Sequence, residues 1–119
     1  MTLTLPIPDR ALWPNKQTHH HKKAPITRRH RQAAFFATLT ALGVKNCPTR
    51  LLHKDRKVLG ITGTLNSTTY QRLSTLLHPG TPPNFTGYTL TFYYAGRRLD
   101  DDNADASAKA YRDGIADAL

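Results

Sequence analysis

GRRLDDDNAD, residues 96–105, is the stretch on which the interpretation of the whole chain depends. It places four carboxylates within six residues, directly after Arg97 and Arg98. Upstream, residues 88–95 alternate apolar and polar side chains, which predicts a strand. Downstream, apolar residues recur at helical spacing through residues 103–119. The sequence therefore predicts that the acids lie at a junction between a strand and a helix.

That junction has the chemistry of a metal site. In an extended backbone Asp100 and Asp102 point to the same side, and two neighbouring carboxylates repel unless a cation lies between them. Mg²⁺, with Mn²⁺ as an alternative, takes oxygen ligands from one or two carboxylates and from substrate phosphates. Lys109 follows Asp102 by two helical turns, roughly 10 Å. Asp100 and Asp102 are therefore candidate metal ligands, and Lys109 is long enough to reach a phosphate beside the metal.

A purely structural interpretation accounts for part of the same pattern. Acidic residues are common at helix N-termini, where they cap free N–H groups and oppose the helix dipole. Lys109 and Asp113 are four residues apart, a spacing that is typical of a solvated ion pair on a helix. The pattern alone leaves both interpretations open.

The charge distribution indicates a polyanionic partner. The net charge is +9, and residues 1–60 carry twelve Lys or Arg against two acids, whereas residues 61–119 have a balance of −1. A basic half beside an acidic cluster suits a metal-dependent enzyme that acts on nucleic acid, and the alternative is an ordinary basic surface. The predicted DNA-binding residues are Lys16, Lys22, Lys23, Arg28, Arg29, Arg31, Arg97 and Arg98.

Length and composition indicate one globular domain over residues 1–119. The hydrophobic content is 39%, and no apolar run approaches the ~20 residues of a membrane span. The single cysteine, Cys47, excludes an internal disulfide and agrees with a reducing compartment. We therefore expect a cytoplasmic protein without a membrane segment.

The predicted fold is α+β, a small mixed sheet with two to three helices packed on it. Thr27 is expected to cap a helix with a buried apolar stripe, and a capping-box pattern at residues 68–71 opens a short helix. Strands are predicted at residues 2–7, 51–52, 58–61 and 88–95, and helices at residues 27–42, from 68 to the stop at Pro79, and at 103–119.

Several of these motifs together resemble the RusA-like Holliday junction resolvase family. The resemblance rests on the run of residues 97–103, on Lys109, and on the Asp-Ala-Leu segment at residues 117–119. The Pro-rich opening, Pro14-Asn15 and the basic helix also resemble the N-terminal part of that family. The resemblance covers residues 2–42 and 87–119, and residues 44–86 look like a divergent or inserted part.

The resemblance implies a homodimeric, Mg²⁺-dependent endonuclease that cuts branched DNA in bacteria or phage-infected hosts. Asp100 and Asp102 would bind the metal, Asn103 would shape the junction and Lys109 would be the essential lysine. The chain departs from the family in two ways. The spacing from Asn103 to Lys109 is long, which predicts an extra turn or a distortion, and the family's further acids beyond this helix are missing at Leu119. The alternatives are a non-catalytic nucleic-acid-binding module and a truncated, inactive phage protein.

Overall fold

The computed structural model describes residues 2–13, 20–48, 51–61, 65–80, 85, 87, 89, 91 and 101–119. Within these ranges the regular structure consists of a 3-10 turn and five α-helices. The turn is Arg10–Leu12, and the helices are α1 (His20–Ala41), α2 (His53–Val58), α3 (Ser67–Leu77), α4 (Asp101–Ser107) and α5 (Lys109–Ala118). None of these helices combines the length and the apolar character needed to cross a bilayer.

The prediction of an α+β fold with a mixed sheet is wrong, because the described part of the chain is helical and contains no strand. Residues 2–7 alternate as a strand would, but Pro6 and Pro8 have no N–H to donate to a ladder. This segment is held by a helix instead. The Tyr111 hydroxyl of α5 donates a hydrogen bond to the Pro6 carbonyl oxygen at 2.8 Å.

The two short strands predicted at residues 51–52 and 58–61 are likewise wrong. The charged residues 54–57 between them belong to helix α2. The Asp55 carboxylate accepts a hydrogen bond from the Leu52 backbone N–H at 3.0 Å, so it satisfies a group that the start of the helix leaves free. Of the strand predicted at 88–95, only Thr89 and Thr91 lie within the described residues, and neither has regular structure.

Helix α1 organises the described fold. The predicted helix at 27–42 is present, but it begins seven residues earlier, at His20. Thr27 is therefore internal rather than a cap, and its hydroxyl donates to the Lys23 carbonyl oxygen at 3.0 Å. The first half of α1 is largely exposed, whereas residues 34–39 are almost entirely buried. Gly43 then adopts a φ of 101°, a left-handed conformation that ends helices readily.

The core forms where the second half of α1 meets α3 and α5. It consists of Phe35, Phe36, Leu39, Tyr70, Leu73 and Ala118. The Phe35 ring packs edge-on against Phe36, with centroids 5.1 Å apart, and lies 5.2 Å from the Tyr70 ring. Of the apolar stripes predicted for these two helices, Phe35, Leu39, Tyr70 and Leu73 are buried, whereas Leu42 and Leu77 are half-buried.

Helix α3 differs from prediction by one residue at its start, whereas the last predicted helix is divided in two. Helix α3 begins at Ser67, where the Asn66 side chain accepts a hydrogen bond from the Thr69 N–H at 3.0 Å. The helix predicted at 103–119 begins at Asp101 and is interrupted at Ala108, whose φ and ψ are −90° and 6°. This interruption separates α4 from α5, directly before Lys109.

Candidate nucleic-acid interface

The first half of α1 is a cationic surface. We define the basic half of α1 as residues 20–31, which hold five Lys or Arg, whereas the whole 22-residue helix contains no Asp or Glu. Lys22, Arg28 and Arg29 are exposed, and Lys23 and Arg31 are half-buried. Lys22 lies in the first turn, where a cation opposes the helix dipole at a cost of a few tenths of a kcal/mol. An anionic partner would relieve this cost.

A cleft of about 380 Å³ lies between the basic half of α1 and the start of α3. Its lining consists of Lys23, Ala24, Thr27, Arg28, Arg31, Leu65 and Tyr70. Three of the seven lining side chains are cationic and none is acidic. The structure therefore brings three of the predicted DNA-binding residues to one concave surface.

Arg31 connects α1 to two other helices. Its Nε donates to the Asp117 carboxylate of α5 at 2.6 Å, and its Nη2 donates to the Ser67 hydroxyl of α3 at 2.9 Å. Its guanidinium also lies over the Tyr70 ring, 4.8 Å from the centroid. The hydrogen bond with Asp117 raises the pKa of Arg31, and the charge of Asp113 contributes to the same rise. Arg31 thus stabilises the fold as well as contributing to the cleft.

Lys109, the predicted catalytic lysine, is the first residue of α5 and is exposed. Its Nζ lies 2.7 Å from the Asp113 carboxylate, which is the ion pair that the sequence offered as the alternative to a catalytic role. Lys109, Asp113 and Asp117 follow one another at four-residue spacing and so lie along one side of α5. Of these three residues only Asp117 contacts Arg31, and the Lys109 side chain is exposed to solvent.

The acidic segment is only partly described. Asp100 lies outside the described residues, as do Lys16, Arg97 and Arg98. Asp102 belongs to α4, so its backbone is helical rather than extended, and the strand-like alternation predicted for it is wrong. Asp105 is exposed and lies 3.3 Å from Nη1 of Arg112. Among the described residues, no three His, Cys, Asp or Glu side chains gather closely enough to share a metal ion.

Sequence reasoning did not place Asp117, Ser67 and Tyr70 in the site. Asp117 could have been found from its spacing, because it lies four residues beyond Asp113 and eight beyond Lys109. Nothing in the sequence connects Ser67 or Tyr70 with Arg31, which is more than thirty residues away. The Tyr70 hydroxyl is buried and has no hydrogen-bond partner in the structure. Burial raises the pKa of Tyr70, and the nearby Gln32 and Arg31 oppose that rise.

A second set of contacts, centred on His30, joins the N-terminal segment to the helices. The Asp9 backbone N–H donates to Nε2 of His30 at 3.0 Å, and the His30 ring stacks on Tyr111 with centroids 4.9 Å apart. Burial lowers the pKa of His30, while the charge of Asp9 opposes this effect. Accepting a hydrogen bond at Nε2 requires the neutral ring.

No protein-family model matches the chain, and comparisons with curated proteins and with solved structures give no significant match.

Proposed function

We propose that this protein binds DNA through the basic half of α1 and is a Mg²⁺-dependent endonuclease that cuts branched DNA, as the resemblance implies. In this proposal Asp100 and Asp102 hold the metal, with Mn²⁺ as an alternative, and Lys109 acts at the scissile phosphate. The substrate is a Holliday junction or a related branched structure. The active form is a homodimer in the cytoplasm of a bacterium or a phage-infected host.

The observation that carries the DNA-binding part is the composition and exposure of α1. Five cations occupy about 18 Å of helix, at the 1.5 Å rise per residue of an α-helix, with no acid among them. Phosphates recur about every 3.4 Å along each strand of a duplex, so a helix surface of this length spans several of them, and Lys and Arg side chains bind them without reading bases. A basic helix surface of this length suits the backbone of a polynucleotide.

The cleavage part is supported by the sequence of the acidic segment and by the position of Lys109. Asp100 and Asp102 would hold the Mg²⁺, which would supply polarisation of a phosphate oxygen and of a water molecule. Lys109 is exposed at the start of α5, close to the break that follows the acidic helix α4. Its ammonium can pair with a phosphate oxygen in place of the Asp113 carboxylate and stabilise the charge that develops there.

The first experiment measures binding and cleavage separately with the full chain. Binding to a four-way junction is followed over a range of salt concentrations, and cleavage is followed in Mg²⁺ and in EDTA. With three to five phosphate contacts we expect a log–log salt slope of about −3 to −4.5. Cleavage should require the metal and disappear in Asp102→Asn, which should still bind. Cleavage that persists in Asp102→Asn or in EDTA would refute the nuclease proposal.

A second candidate is a nucleic-acid-binding module without catalytic activity. The ion pair between Lys109 and Asp113 favours it, because an occupied lysine is already accounted for structurally. This candidate predicts the same salt-dependent binding with no cleavage in any divalent metal. A chain that fails to bind any nucleic acid at low salt would instead indicate a small structural or partner-binding phage protein.

A further inference from the structure

We propose that the cleft between α1 and α3 is a nucleotide subsite, in which Lys23 and Arg28 hold a phosphate group and the apolar wall at Leu65 receives the attached nucleoside. This inference deepens the proposed function and rests on its DNA-binding part. The proposal is a defined binding site for one nucleotide, which differs from a general electrostatic attraction between a basic helix and a polyanion.

The positions of the lining residues follow from helical geometry. Lys23, Thr27 and Arg31 recur at four-residue spacing, and Ala24 and Arg28 lie beside them on the same side of α1. Leu65 and Tyr70 face them from the start of α3. A volume of about 380 Å³ lies within the range of small-ligand sites.

The cationic side chains of the cleft differ in how strongly other protein groups hold them in place. The Arg31 guanidinium is fixed by Asp117, Ser67 and the Tyr70 ring, so its position is set before any ligand binds. Arg28 is exposed and lies near enough to Tyr70 for its charge to lower the pKa of that hydroxyl. Lys23 and Arg28 therefore supply the charge for an incoming phosphate, and Arg31 supplies a rigid wall.

The opposite wall is suited to the uncharged part of a nucleotide. Leu65 packs at the edge of the core and is half-buried, and Tyr70 is the largest of the fully buried side chains. The Tyr70 hydroxyl is a buried polar group with no hydrogen-bond partner in the structure. The apolar surface that a ligand can reach comes mainly from Leu65, because Tyr70 is 1% exposed and the Arg31 guanidinium lies over its ring.

The chain provides a matched control within the same helical turns. Lys22 and Arg29 are seven residues apart and share a side of α1 that does not contribute to the cleft. Both residues are exposed, as is Arg28. The double variants Lys23→Ala/Arg28→Ala and Lys22→Ala/Arg29→Ala remove the same charge from the same region. A difference in nucleotide affinity between them therefore measures the contribution of the cleft.

Calorimetric titrations with adenosine 5′-monophosphate, adenosine and inorganic phosphate test the proposal in the full chain, independently of DNA. We expect the nucleotide to bind more tightly than either fragment. Its affinity should fall at least tenfold in the cleft variant and change less than twofold in the control variant. Equal affinity for inorganic phosphate would overturn the nucleoside wall, and equal losses in the two variants would overturn the cleft as a site.

A thermal melt of each variant shows whether the variant is folded. Arg28→Gln provides a milder substitution of an exposed side chain. The same variants are then tested with a DNA oligonucleotide. If the native chain binds the nucleotide but not DNA, the proposed function fails while the cleft stands. If it binds DNA but not the nucleotide, and both double variants lose DNA affinity equally, the cleft proposal fails while the proposed function stands.

Discussion

Gly114 marks the closest approach between α1 and α5. A Cβ atom at this position would lie 2.2 Å from the Arg31 carbonyl oxygen and 3.0 Å from the Ala34 Cβ. Alanine normally stabilises a helix by about 1 kcal/mol relative to glycine. Here the clash is with backbone, so the two helices would have to separate. Helix propensity and packing therefore predict effects of opposite sign, and packing should dominate.

We expect Gly114→Ala to lower the free energy of unfolding by about 1–3 kcal/mol, the usual cost of overpacking. Urea denaturation followed by circular dichroism measures this. Gly87→Ala is the control, because a Cβ there meets nothing within 4 Å, and it should change stability by no more than about 0.5 kcal/mol. A Gly114→Ala variant as stable as the native chain would contradict the close helix contact.

Asp113 and Asp117 provide a second comparison between residues of one helix. Asp117 is 5% exposed and pairs with Arg31, whose side chain is 21% exposed, whereas Asp113 is 42% exposed and pairs with Lys109. Buried charged hydrogen bonds contribute about 1.5–3 kcal/mol, and exposed helical pairs about 0.3–0.5 kcal/mol. Asp117→Asn should therefore destabilise the protein several-fold more than Asp113→Asn in the same denaturation assay. Equal effects would show that Arg31 does not depend on Asp117.

Arg31 shows what sequence reasoning at the residue scale could and could not establish. Its charge and its place in a basic run predicted a phosphate contact. Its principal partner, Asp117, is 86 residues away, and no local pattern reveals such a contact. Lys109 and Asp113 are the opposite case, because their four-residue spacing predicts an ion pair that the structure contains.

At the scale of elements, α1 carries an electrostatic cost at its start. It has no acid in its first turn and Lys22 lies there. Lys22→Glu should raise stability by about 0.3–1 kcal/mol through the helix dipole and at the same time weaken DNA binding. Lys45→Glu is the matched control, since it makes the same charge change at an exposed position outside the helices. A destabilised Lys22→Glu variant would contradict this account of α1.

The contact between the N-terminal segment and the helices should depend on pH. The pKa of His30 is lowered in the folded protein by burial, whereas in the unfolded chain it is about 6.5. The unfolded state therefore binds the proton more readily, so stability is complete above about pH 6.5 and falls as the pH drops toward the lower folded pKa. Protonation also removes the acceptor for the Asp9 N–H. Asp9, Arg29 and Tyr111 are the neighbouring groups that set this balance.

Urea denaturation between pH 7.5 and pH 5 tests this expectation. His30→Gln keeps a hydrogen-bonding side chain but does not titrate, so it should lose less stability than the native chain as the pH falls. The difference between the two curves isolates His30 from the other titrating groups. Parallel curves would show that His30 is not responsible.

Helices α1 and α3 were predictable, whereas α2 and the absence of strands from the described residues were not, for a physical reason. Helix α3 has a local start signal, Asn66 with the residues after it, and an apolar side that is buried. Residues 2–7 have the alternation of a strand, but a strand forms only if a partner supplies hydrogen bonds. Alternation says nothing about the partner. Helix α2 begins after Leu52, where Asp55, three residues later, caps its start. The apolar residues around it have the pattern of short strands, so this signal was missed.

At the scale of the whole molecule, the basic first half of the sequence and the acidic second half are not separate in space. Helix α1 packs against α5, and Arg31 and Asp117 join the two sets of charges. The basic half of α1, which supplies the cations of the cleft, belongs to the first half of the chain. The opposite wall of the cleft comes from the start of α3. Lys109 comes from the second half. Binding and chemistry are therefore expected to be separable by substitution.

Lys109 tests this separation most directly. If Lys109 acts at the scissile phosphate, Lys109→Ala should abolish cleavage of a four-way junction in Mg²⁺ while DNA affinity and the melting temperature barely change, because one of seventeen cations contributes little to binding. Lys109→Arg should also be strongly impaired, since a planar guanidinium does not replace a compact ammonium.

Asp113→Asn is the control, because it breaks the ion pair with Lys109 but leaves the ammonium in place. It should retain cleavage, and release from the carboxylate should leave Lys109 free to pair with a phosphate. If Asp113→Asn and Lys109→Ala lose activity together, the ion pair matters structurally and Lys109 has no separate chemical role. If both cleave at the native rate, Lys109 is a solvated helix residue and the acidic segment alone must account for any catalysis.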